Sequence, residues 1–359
     1  MSEEIIKTDS TTIAPKNWLD TLKEYKIYLS IGAAIVIVGT SALSHYKNER
    51  VKEELIKALG QYQQSTLMIG GELNYESVDC SGVLNTDCEI EGIKLSILGQ
   101  EQFSAKAIRL GNMESLSKFK AFSKGEDVKA SVDIEADGVS LPAPILEQVI
   151  AQNVSNAFQQ NILDKLRSVN LAFKGEVEGN PMYIKMLNID YFRIDNTIMP
   201  LEFSMKAREV SSNAPDTMIL EGFSLTAQNR AISDVTYESV KSFTDTLSVE
   251  DKTFFLKEFH LTPAEMEDKA KASLAINGAI AKRFEDILPS TVGIVEKDLI
   301  QAMIQMLKGK TEKILLEGRN KNNLTMVEIQ TALQQSSAMT DDAARKYMDD
   351  KFKIEVKVD

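Results

Sequence analysis

The chain has few residues of the kinds that carry most enzyme chemistry, with two cysteines and two histidines in 359 residues. His45 follows an apolar run and His260 stands alone between Phe259 and Leu261, so the two histidines predict neither a metal site nor a catalytic triad. There is no G-x-S-x-G motif and no glycine-rich phosphate loop. We therefore expect a protein that is not an enzyme and that needs no cofactor and no metal.

Positive charge is also scarce, since the formal net charge is −12. A nucleic-acid-binding protein needs a basic surface to displace the counterions of the phosphates. The acidity likewise disfavours broad adhesion to anionic lipid headgroups, but it does not exclude an apolar groove for lipid tails. We expect no nucleic-acid partner.

Residues 27–44 form an uncharged apolar run. Eighteen residues in a helix rise about 27 Å, close to the thickness of the hydrocarbon core of a bilayer. The run predicts a single transmembrane helix behind a tail of residues 1–26. A signal peptide cleaved near Ala42-Leu43-Ser44 and a buried core helix are the two alternatives.

The two cysteines decide the orientation, because lysines and arginines flank the run about equally on both sides. Seven residues separate Cys80 from Cys88 in a turn-like segment, and the residues on either side read as strands. A hairpin would bring the two sulfurs within bonding distance, and such a pair suits an oxidising compartment. We predict a disulfide, a cytoplasmic N-terminus and a periplasmic C-terminal domain, with two unlinked buried cysteines as the alternative.

Beyond the run, residues 45–66 read as a charged stalk helix, and the pattern then changes to the period of two that indicates strands. The segment 129–134 shows the alternation, with apolar side chains on one face and polar side chains on the other. A strongly amphipathic helix follows from Pro142, and its stripe supplies the first candidate groove residues: Leu146, Val149, Ile150, Val154, Phe158 and Ile162.

The second half of the chain suggests a repeat of this plan. Lys271-Ala-Ser-Leu-Ala-Ile matches Lys129-Ala-Ser-Val-Asp-Ile, and Leu288-Pro289 matches Leu141-Pro142, at an offset of about 145 residues. We therefore predict two similar units, 67–180 and 181–359, with a helix and a terminal strand at the end of the second; chance similarity is the alternative. The second helix supplies the other candidate groove residues: Leu299, Ile300, Met303, Ile304 and Leu307.

The fold class predicted from these patterns is α+β: an N-terminal transmembrane helix, followed by two units of twisted antiparallel sheet, each packed on a long amphipathic helix. Segments such as 88–95 and 132–139, together with the anchor and the cysteine hairpin, resemble those of bacterial inner-membrane proteins with large periplasmic β-rich domains. These are the AsmA-like and DUF945-like (YdgA-type) groups, and the helix-plus-sheet plan also looks like the tubular lipid-binding architecture. The resemblance implies a role in the cell envelope.

The function predicted from the sequence is that of a periplasmic protein, tethered to the inner membrane, that binds a lipid or another apolar ligand. The two helical stripes would line the groove if sheet and helix do not seal completely; closing the core is the other interpretation of the same stripes. The alternative function is a non-catalytic envelope scaffold that docks another protein through an exposed sheet edge.

Overall fold

The structure is a computed structural model and describes residues 48–68, 70–82, 85–140, 165, 167–287, 294–336 and 338–359. Eleven strands form one sheet. Their bounds are β1 Gly71–Asn74, β2 Ser77–Ser81, β3 Asp87–Ile97, β4 Gln100–Gly111, β5 Val128–Ser140, β6 Ser168–Asn180, β7 Tyr183–Asp195, β8 Leu201–Ser211, β9 Ile219–Gln228, β10 Lys313–Asn320 and β11 Phe352–Val358.

The described helices lie before, beside and after these strands. Their bounds are α1 Asn48–Leu67, α2 Met113–Leu116, α3 Phe119–Ser123, α4 Ile232–Asp245, α5 Val249–Lys257, α6 Lys269–Ile287, α7 Ile294–Leu307, α8 Met326–Ser336 and α9 Asp341–Lys351. Short 3-10 turns occur at Pro215–Thr217 and Glu265–Glu267.

The strands lie in the sheet in the order of the chain, from β3 to β11, and each pairs antiparallel with the next. Both β1 and β2 pair with the outer side of β3, one toward each of its ends. Two-residue turns join β3 to β4 and β6 to β7, whereas helices lie in the connections from β9 to β10 and from β10 to β11. Between β3 and β4 the turn is Leu98-Gly99, and both residues have positive φ, 52° and 76°, as a type I′ turn requires.

Helix α1 lies along the first edge of the sheet. Its sequence is rich in Glu, Lys, Leu and Gln, which favour a helix, and Val51, Leu55, Ala58 and Leu59 are buried on one side. At the edge, the Gln63 side chain donates a hydrogen bond of 2.8 Å to the carbonyl oxygen of Leu73. The segment interpreted from the sequence as a stalk is therefore a helix that packs on the sheet.

The prediction of two separate sheet-plus-helix units is wrong, because one sheet runs through both halves of the chain. Asn180 and Pro181, the predicted boundary, lie at the hairpin between β6 and β7, two of the most closely paired strands. The match that suggested a duplication fails as well. Residues 129–134 lie in β5, whereas residues 271–276 lie in α6. Val132 favours a strand, whereas Leu274 and Ala275, which stand at the positions of Val132 and Asp133, favour a helix.

The predicted transmembrane helix, residues 27–44, and the tail before it lie outside the described residues. Within the described ranges, no helix combines the length and the apolar character that are needed to cross a bilayer.

Three groups of helices pack around the sheet. Helix α1 closes the largest core, which lies on β2 to β6. Helices α4, α5 and α6 form a core of their own around Leu256, Met266 and Ile276, all of which are 0% exposed. Helices α7, α8 and α9 cover the last strands. Met306 of α7 packs in one cluster with Ile314 of β10, and Ile329 of α8 and Met348 of α9 pack in another with Phe352 of β11.

A candidate apolar binding face

One row of apolar side chains crosses the sheet from edge to edge. Residues directly opposite each other on antiparallel strands lie on the same face, so the register defines the row. It consists of Cys80, Cys88, Leu110, Ile134, Phe173, Phe192, Phe203, Leu225, Leu316 and Val356. The sheet therefore has one continuous apolar face.

Exposure along this row is lowest near its first edge and highest in the middle. Cys88 and Leu110 are 2% and 1% exposed under the core that α1 closes, whereas Phe192 is 38% exposed. Around Phe192 we define the central strip as six half-buried or exposed side chains on β7, β8 and β9: Leu187, Ile189, Phe192, Leu201, Phe203 and Leu225. In the described part of the chain, none of the six belongs to a buried core cluster.

The dimensions of the central strip suit an elongated apolar molecule. From the level of Leu187 to that of Leu201 the strip runs about 20 Å along the strands, and the three strands β7 to β9 span about 10 Å across. Side chains of the two neighbouring cores limit the strip: Leu171 and Phe173 on β6 belong to the core under α1, and Met205 and Phe223, on β8 and β9, belong to the core under α8 and α9.

The opposite face of the sheet is charged. Arg109 lies within 3.3 to 3.8 Å of Glu89, Glu135 and Asp137. The Coulombic attraction of Glu89 and a hydrogen bond to it raise the pKa of Arg109, and a hydrogen bond to Asp133 raises the pKa of Lys174. These groups stay ionised and hydrated, so an apolar ligand would choose the other face.

Cys80 and Cys88 form the predicted disulfide, with the two sulfurs 2.04 Å apart. They are a directly opposed pair on β2 and β3, and they stand at the start of the apolar row. The bond therefore joins the edge strand β2 to the sheet under α1.

Five of the candidate groove residues predicted from the sequence lie on α7. Ile304 is buried and Leu299 packs against the core at β10, whereas Met303 is 42% exposed; Ile300 and Leu307 are intermediate. This stripe therefore mainly packs against the last strands. The six candidates on the earlier helix lie outside the described residues: Leu146, Val149, Ile150, Val154, Phe158 and Ile162.

The central strip is not among the groove residues predicted from the sequence. Its signal was present as alternation in β7, β8 and β9, but alternation marks an apolar face without telling whether another element covers it.

The described residues give no sign of a metal site, because they contain no group of three or more His, Cys, Asp or Glu side chains that could hold an ion. His260 is exposed just after α5, where its positive φ of 57° and its N–H, donated to the carbonyl oxygen of Lys257, end the helix. Its position suits a structural role at a helix end.

No protein-family model matches the chain, and neither does any curated protein. The resemblance to AsmA-like and DUF945-like proteins therefore stays a prediction.

Proposed function

We propose that the protein binds a lipid or another elongated apolar molecule on the central strip, in an oxidising compartment of the cell envelope. The observation that carries this proposal is Phe192, an aromatic side chain in the middle of a continuous apolar row that is nevertheless 38% exposed. Burial of ten methylene groups on such a surface would contribute about 8 kcal/mol before the cost of ordering the ligand. The disulfide supports the choice of compartment, since such bonds persist where thiols are oxidised.

Titration of the full-length chain with a pyrene-labelled long-chain fatty acid tests this proposal. We expect saturable binding that the substitution Phe192→Asp weakens about tenfold or more, because a carboxylate in the strip must be desolvated when the acyl chain covers it. The substitution Thr226→Asp is the matched control, since Thr226 lies on the charged face of β9. Equal loss in both variants, or no loss in either, would exclude the strip as the binding site.

A second candidate function, docking of another envelope protein, is favoured by an apolar tip at the end of α1. Leu67, Met68 and Leu98 are 65%, 86% and 82% exposed, and Leu98 holds a left-handed conformation that a leucine rarely adopts. The amide N–H of Leu98 donates to the carbonyl oxygen of Gly70, which keeps the hairpin turn beside the end of the helix.

A photo-crosslinking amino acid placed at Met68 distinguishes this candidate in cells. Docking predicts one discrete protein adduct from position 68 and none from position 94, where Lys94 is exposed elsewhere on β3. Lipid adducts at both positions would count against docking.

A further inference from the structure

A polar depression lies on the charged face of the sheet, opposite to the apolar row. It has a volume of about 580 Å³ and spans β7 to β10. Its floor consists of small residues, because Ser204, Gly222 and Ser224 occupy neighbouring positions on β8 and β9. The two serine hydroxyls are hydrogen-bonded to each other at 2.8 Å, which places both on this face. Longer charged side chains form the walls.

Two cations flank the floor. Lys206, Gly222 and Arg319 are directly opposed on β8, β9 and β10, so the glycine leaves a gap between the lysine and the arginine. In the described part of the chain Lys206 has no carboxylate partner. Arg319 lies 3.7 Å from Glu317, whose oxygen is held more closely by Lys357 at 2.6 Å. The cations are therefore available to an anionic group placed above Gly222.

An acceptor without a donor stands next to Lys206. Asn188 on β7 is directly opposed to Lys206, and its Oδ1 is buried without a hydrogen-bond partner among the described residues. Exchanging the amide oxygen and nitrogen of Asn188 would not remove the problem. In the present orientation Nδ2 donates a hydrogen bond of 2.6 Å to the carboxylate of Asp190, which can only accept. Oδ1 thus needs a donor from outside the described residues.

The charges around the gap disfavour a simple anion. Asp190, Glu221 and Glu317 also line the depression, so a ligand with negative charge alone would meet three carboxylates. Glu221 and Glu317 already have Arg208 and Lys357 as partners at 3.2 and 2.6 Å. A ligand that also carries an ammonium group or an N–H would interact favourably with Asp190 and donate to the free oxygen of Asn188.

We propose that this depression binds a small zwitterion of the amino-acid or short-peptide class. The ligand carboxylate lies over Gly222 between Lys206 and Arg319, and the amino group faces Asn188 and Asp190. This site is on the opposite face from the central strip, so the proposal does not depend on lipid binding.

Isothermal titration calorimetry of the full-length chain with diglycine tests the proposal, with acetate and ethylammonium as probes of a single charge. We expect one saturable site for diglycine only. Lys206→Ala should weaken binding about fivefold, as one exposed ionic contact is lost. Ser224→Leu should abolish binding, because it fills the floor. Lys129→Ala and Thr226→Leu are the matched controls on the same face, and both should bind like the wild type.

Three results would overturn the proposal. They are the lack of saturable diglycine binding, binding of acetate as tight as that of diglycine, and equal affinities in the Lys206→Ala and Lys129→Ala variants. If Ser224→Leu fails to fold, as its melting curve would show, the comparison of the two lysine variants still decides.

Discussion

The two parts of the apolar face, under α1 and in the central strip, differ in cover rather than in sequence pattern. Both belong to one row of paired apolar residues, yet Leu110 is 1% exposed and Phe192 is 38% exposed. Strand β7 has no fully buried residue over its 13 positions, whereas β3 buries four of 11. A strand can therefore be held in a sheet by its backbone ladders while its apolar side chains remain accessible.

The two regions should also differ in how much each side chain contributes to the free energy of unfolding. Under α1 the apolar side chains are close-packed, so any loss of volume leaves a cavity. In the central strip the same side chains already contact solvent, so their loss removes less buried area. Substitutions in the two regions should differ in their effect on stability, and ligand binding should respond only to those in the strip.

The largest effect is expected from Leu55→Ala in α1. Leu55 is 0% exposed, and its truncation should lower the free energy of unfolding by about 3 kcal/mol. Phe192→Ala should cost only about 1 kcal/mol although it removes more atoms, because the ring is partly in solvent. Urea denaturation followed by circular dichroism measures both. Equal losses would mean that the strip is as tightly packed as the covered part.

Removal of the disulfide should be the next largest perturbation. The double substitution Cys80→Ser with Cys88→Ser should lower the free energy of unfolding by about 2–3 kcal/mol, since the short loop between the strands gains freedom in the unfolded chain. Thermal melts of the wild type with and without a reducing agent should show the same difference. Coincident melts would indicate that the bond contributes nothing to the covered part.

A smaller effect, of opposite sign, is expected from Leu98→Asn at the apolar tip. Asparagine tolerates the left-handed conformation that Leu98 holds at φ 52°, so the variant should be more stable by about 1 kcal/mol. A higher midpoint of thermal unfolding would confirm this. An unchanged or lower midpoint would show that the exposed leucine stabilises the covered part through contacts of its own.

The smallest effect concerns the helical region around Leu256 and Met266, which serves as a reference because its core is separate from the core under α1. A hydrogen bond from Lys271, and further ones from the N–H and hydroxyl of Thr262, lower the pKa of Glu265 to about 2. The folded-state pKa lies below the ordinary value of 4.5, so this contribution to stability is present above that value and is lost as the pH falls toward about 2.

Glu265→Gln should therefore lower the urea midpoint slightly at pH 7 and leave it unchanged near pH 2. Denaturation curves of the two proteins at both pH values test this. A difference that persists at pH 2 would rule out the charge of Glu265 as its cause.

Much of the secondary structure could be predicted, because alternation and helical spacing are local. The predicted strand at 129–134, the predicted helix at 45–66 and the predicted helix that carries Leu299 and Leu307 are observed as β5, α1 and α7. The error at Lys271-Ala-Ser-Leu-Ala-Ile has the same origin. A six-residue match carries too little information to separate a strand from a helix, and here leucine replaces Val132 while alanine replaces Asp133.

The candidate site could be predicted only in part. The apolar stripe of α7 was predicted from its spacing, but in the structure Leu299 packs near Ile314, Ile304 is buried and Met303 is exposed. Exposure of Phe192 and Phe203 depends on which helix lies above them, and the depression at Gly222 depends on the register of four strands. Neither is encoded within a single segment.

The sequence by itself determined most of the strands and helices, the apolar and polar faces of strands such as β5, and the pairing of Cys80 with Cys88, since these follow from local spacing. Only the tertiary structure decided that the strands form one sheet rather than two. It also decided that α1 covers the beginning of the apolar row, whereas among the described residues no core cluster includes Phe192 or Phe203. The physical reason is that burial is a relation between distant segments, and the free energy gained by covering an apolar face does not depend on which segment covers it.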